Sequence, residues 1–104
     1  MPPQDVQARL TLLGFMFKEC MKGVTGAIQA AGVPPLKPEE KEVLFAECEK
    51  AVWRFPDHWF QQDFRDEQLW AEEMCNKDEV RTALENAISV ALAGRRPGAP
   101  RREA

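Results

Sequence analysis

The sequence predicts an all-α protein: a compact antiparallel bundle of about four helices, followed by a disordered tail rich in Arg and Pro. Two observations carry that expectation. Apolar residues recur at helical spacing along nearly the whole chain and give no convincing strand alternation. The prolines between Ala31 and Trp59 (Pro34, Pro35, Pro38 and Pro56) stand between the periodic stretches, where they stop helices or open them.

The first helix is expected from Asp5, a good N-cap, to Ala31. Val6, Leu10, Leu13, Phe17, Cys20, Val24, Ala27 and Ala31 recur at alternating spacings of four and three, which reads as a heptad seam. Leu12, Phe15 and Met16 lie off that seam, so the apolar surface is wider than one neighbour needs; a central position in the bundle, or a homodimer through helix 1, would cover it. Gly32 is the expected C′ residue, and Pro34 and Pro35 forbid continuation. Helix 2 starts at Pro38 with Glu39, Glu40 and Glu42 in its first turns, the sign that the helix dipole favours. Its core line is Leu44, Cys48, Ala51 and Phe55, with Phe45 and Val52 beside it, and Pro56 ends it.

Helix 3 is expected over Asp57 to Cys75, with Phe60, Phe64, Ala71 and Met74 inward and a break near Asp66, itself a candidate N-cap. Asn76 with Glu79 suggests a capping box for helix 4. That helix carries Val80, Leu84, Ala87, Ile88 and Ala91 to a stop at Gly94. Residues 1–94 thus form one helical domain, and 95–104 a flexible basic tail.

Charge divides the chain further. The formal net charge is −3, yet Arg95, Arg96, Arg101 and Arg102 face only Glu103 in the tail. Between Asp57 and Glu79 eight acidic residues stand against Arg65 and Lys77. Such a body repels phosphate, which makes direct nucleic-acid binding a poor expectation. No apolar stretch is long enough to cross a membrane, and no secretory signal opens the chain, so the expected setting is cytoplasmic.

Chemistry has few footholds. His58 is the one histidine and Ser89 the one serine, and neither sits in a catalytic motif. Cys20, Cys48 and Cys75 lack the close pairs of a zinc knuckle, and Cys20 and Cys48 lie on apolar stripes; the expectation is buried thiols, with no metal and no cofactor.

The aromatics say more. Trp53, Phe55, Trp59, Phe60, Phe64 and Trp70 fall within eighteen residues, six of the nine in the chain. Beside the core line of helix 3, Trp59, Asp63, Asp66 and Trp70 recur at spacings of four, three and four, and Glu73 follows. Indoles are frequent anchors of interfaces, and carboxylates around them select a basic partner. The competing expectation is that the indoles lean on the edge of the bundle and the acids are merely solvated. The sequence therefore points to a small acidic, non-catalytic protein, an adaptor, regulator or inhibitor of bacterial or phage type, docking another protein through Trp59, Asp63, Asp66, Trp70 and Glu73. The alternatives are a nucleic-acid-associated regulator or DNA mimic, and a small enzyme or ligand carrier with an interhelical pocket.

Overall fold

The computed structural model describes residues 3–32, 34–61 and 65–95, and among them the protein is all-α, with four helices and no strand. Helix α1 spans Pro3–Ala31, α2 Pro38–Arg54, α3 Glu67–Met74 and α4 Asp78–Ala91. Short 3₁₀ turns occupy Asp57–Phe60 and Ala93–Arg95. None of these helices is long and apolar enough to cross a membrane.

Helix α1 is the spine. It packs against α2, α3, α4 and the Asp57–Phe60 turn, while α4 also lies along α2. Its buried line is Ala8, Leu12, Met16, Cys20 and Val24, with Leu13 beside it; Leu13, Cys20 and Val24 belong to the heptad seam expected from spacing, and the rest of the line does not. Leu10 is 47% exposed, and Ala27 and Ala31 are exposed as well. The reason is the number of neighbours. A seam repeating at 3.5 residues serves one partner helix, whereas α1 must bury a broader surface against several. Its central position accounts for Leu12 and Met16, both fully buried.

The chain leaves α1 through Gly32, whose φ of +69° is left-handed backbone that glycine adopts without strain, and whose N–H donates to the Ile28 carbonyl at 2.9 Å. At the start of α2 the Glu40 carboxylate accepts from the Lys37 N–H at 2.8 Å. Leu44, Cys48 and Val52 form the buried line of this helix.

The expected single helix from Asp57 to Cys75 is not formed. Asp57–Phe60 is one 3₁₀ turn, and α3 begins only at Glu67, after Asp66 has capped it by accepting from the Leu69 N–H at 3.0 Å. Phe60 and Ala71 are buried and Met74 partly so; Phe64 lies outside the described residues. Asn76 does not cap α4: it sits in the turn, and Lys77 occupies the N-cap with no side-chain bond. Val80, Leu84, Ala87 and Ala91 complete the core from α4.

Arg95, which the sequence groups with the tail, holds the body together. Its Nε and Nη2 donate to the two oxygens of Glu40, each at 2.8 Å. Nη2 also reaches the Pro35 carbonyl at 2.6 Å, and Nη1 the Pro34 carbonyl. The end of α4 is thereby tied to the α1–α2 loop. The Lys37 N–H and then the Arg95 guanidinium hold the Glu40 carboxyl below its ordinary value. A carboxylate with a depressed folded pKa contributes stability above the unfolded value, and that contribution vanishes as pH falls through the folded one. Glu40→Gln is therefore expected to lower stability by about 1–2 kcal/mol at neutral pH, the scale of hydrogen bonds to charged groups. Urea titrations should show variant and wild type converging below the carboxylate range; a constant gap would mean that the charge is irrelevant.

Candidate docking surface

An arginine builds one end of the bundle from within. Arg9 sits on the buried side of α1, and its side chain is 1% exposed. Helix α2 stops at Arg54 because Pro56 cannot continue it, leaving its last carbonyls without helical partners. Arg9 Nη1 supplies them, donating to the Val52 carbonyl at 2.6 Å and the Phe55 carbonyl at 3.2 Å. Nη2 donates to Asp57 Oδ1 at 2.6 Å. The guanidinium carbon lies 4.2 Å from the Phe60 ring centre and 5.4 Å from that of Trp53.

Around this cation the aromatic rings form a chain. Phe55 and Trp59 are 4.9 Å apart, Trp59 and Phe60 6.4 Å, and Trp70 stands edge-on to Phe60 at 5.7 Å. Phe60 is buried, Trp59 and Trp70 are partly buried, and Trp53 is 40% exposed. Lys77 Nζ lies 5.1 Å from the Trp59 ring centre. Three carboxylates are exposed nearby in the chain: Asp57 after α2, bonded to Arg9, and Asp66 and Glu73, one turn before and one turn after Trp70 on α3.

Of the sequence-predicted residues, Trp59 and Trp70 come together, through Phe60 rather than along one helix face. Asp66 and Glu73 share α3 with Trp70, and one Asp66 oxygen is engaged in capping. Asp63 lies outside the described residues. His58 is exposed in the 3₁₀ turn.

Two participants are absent from the expected set, Trp53 and Arg9. Trp53 belongs to the aromatic cluster in the sequence, but only the fold brings it and Phe60 to one guanidinium. Arg9 has a sharper signal. Asp5, Arg9, Leu12, Met16 and Cys20 share one buried stripe of α1 at spacings of four, three, four and four, so an acid and a cation interrupt an apolar line. Asp5 Oδ1 and Arg9 Nε are buried without a hydrogen-bond partner.

The thiols lie elsewhere. Cys20, Cys48 and Cys75 are free and buried, with the Cys20 and Cys48 sulfurs 3.8 Å apart between α1 and α2. Burial pushes the Cys75 thiol up to about 11, and the contact with Cys20 together with burial raises Cys48. Among the described residues no three His, Cys, Asp or Glu side chains converge as metal ligands. Comparison with family models, curated proteins and solved structures yields no match.

Proposed function

We propose that this protein is a non-catalytic docking module, and that the end of the bundle around Trp53, Trp59 and Trp70 receives a basic segment of a protein partner. One observation carries the reading: Trp53 is 40% exposed, yet its ring packs on a buried guanidinium fixed by three hydrogen bonds. An anchor ordered before binding loses little entropy on association. The exposed part of the Trp53 ring offers an apolar anchor, and the carboxylates of Asp66 and Glu73 on α3 add attraction for a basic segment.

Affinity capture from the native host tests this, with the captured partner then titrated against variants. Trp53→Ala is expected to weaken binding by about 2 kcal/mol, roughly 30-fold, beyond what any unfolded fraction of the variant accounts for, circular dichroism giving that fraction. Asp66→Asn with Glu73→Gln should slow association and flatten its salt dependence, since Asn still caps a helix. Binding that ignores both changes would refute the assignment.

A further inference from the structure

The far half of α1 carries a second surface of opposite character. Met21, Thr25, Ile28 and Gly32 line a depression of about 480 Å³, closed on its other side by Leu36 and Lys41. Phe17, Lys18, Lys22 and Gly26 continue this surface along the open outer face of α1. The depression and this face share Met21, Thr25 and Gln29, so the groove opens at one end onto the exposed side of α1. From Phe17 to Gly32 the helix rises about 22 Å, the length of four turns of a partner helix. Phe45 extends the apolar floor: it is 42% exposed and stands edge-on to Phe17 at 5.5 Å.

The rim is basic. Lys18 and Lys22 flank the open part and Lys41 the closed part, in a chain whose formal net charge is −3. Lys22 is paired with Glu19 at 3.1 Å, and Lys18 Nζ lies 5.8 Å from the Phe15 ring centre. Helix α1 holds only two acidic residues, and one of them, Asp5, is buried at its other end. A second copy laid into the groove about a two-fold axis would bring the same three lysines against these. Residues 96–104 contain Arg96, Arg101 and Arg102 against Glu103, again the sign of the rim. Gly26 lies on the open part of this face; a Cβ there would meet nothing within 4 Å, as at Gly14 and Gly23, so alanine fits the fold and should gain about 1 kcal/mol of helix stability.

We infer that the α1 groove is a docking site for an acidic amphipathic helix of a partner protein, its apolar stripe on Phe17, Met21, Ile28 and Phe45 and its carboxylates toward Lys18, Lys22 and Lys41. This is the helix-in-groove mode of recognition, with lysines setting the charge of the guest. It is independent of the tryptophan surface.

The probe is a synthetic helix of about 18 residues, just over the groove length, with Leu at the a and d heptad positions and Glu beside them; its control carries Lys in place of each Glu. Added to ¹⁵N-labelled protein, the Glu peptide is expected to shift amides between Phe17 and Gly32 and around Lys41 and Phe45, and the Lys peptide to leave them unmoved. Lys18→Glu, Lys22→Glu and Lys41→Glu combined should weaken binding at least tenfold. Gly26→Ala should weaken it while the melting temperature holds or rises, which separates docking from folding. No shifts with the Glu peptide, equal shifts with both peptides, or shifts confined to the Trp53 end would overturn the assignment. Concentration-dependent shifts of the groove amides without peptide would overturn it in favour of a second copy.

Discussion

Arg9→Ala is expected to destabilise the protein by about 3–5 kcal/mol, the range for breaking a buried hydrogen-bond network. The side chain is 1% exposed and joins the Val52 carbonyl of α2, the Phe55 carbonyl just after it, an aspartate and two rings. Removing it leaves the Val52 and Phe55 carbonyls unpaired and opens a hole between α1 and the end of α2. The ion pair is the lesser part. Asp57 is 70% exposed, so Asp57→Ala should cost at most about 1 kcal/mol. Arg9→Lys should recover only a fraction, because one ammonium cannot reproduce a planar fork reaching three acceptors. Denaturant unfolding of the three variants decides it. Equal losses for Arg9→Ala and Asp57→Ala would place the energy in the salt bridge instead.

Phe60→Ala should cost about 3–5 kcal/mol, as for other fully buried aromatics. Its ring contacts the Arg9 guanidinium and the indoles of Trp59 and Trp70, so its loss removes support for both indoles as well as core volume. Phe60→Leu keeps much of the volume and should recover more than half of the stability, but not the ring contacts. Thermal melts and near-ultraviolet circular dichroism of the tryptophans together read this out. A Phe60→Leu protein with native stability and an unchanged tryptophan signal would show that the rings do not depend on Phe60.

The number and type of the helices were legible because proline and glycine punctuate this chain and its apolar residues keep a helical period. Pro38, Pro56 and Gly32 each act where the sequence places them. The seam of α1 is legible in part: Leu13, Cys20 and Val24 are buried on it, but periodicity reports one apolar face and nothing local says how many neighbours cover it, so Leu10 and Ala8 exchange roles. The break before α3 was half visible, since Asp66 is a good cap, but Trp59 and Trp70 at helical spacing suggest a continuity that the 3₁₀ turn interrupts. Their convergence on Phe60 is tertiary. Arg9 was the hardest to read, because a cation in an apolar stripe declares itself only when the carbonyls it serves, more than forty residues away, are in place.

The reach of Arg9 also bears on the order in which the molecule is assembled during synthesis. Its hydrogen-bond partners, Val52, Phe55 and Asp57, all precede α3, so every hydrogen bond of its guanidinium can form once the chain has been made as far as Asp57. The sides of α1 that face α3 and α4 are still bare at that stage. Arg95 acts at the opposite extreme: it is made after every helix, and it fastens onto the Pro34–Pro35 loop and Glu40, among the earlier parts to emerge. The bonds of one arginine thus need only the first two helices and the turn after them, whereas those of the other need the whole of α4.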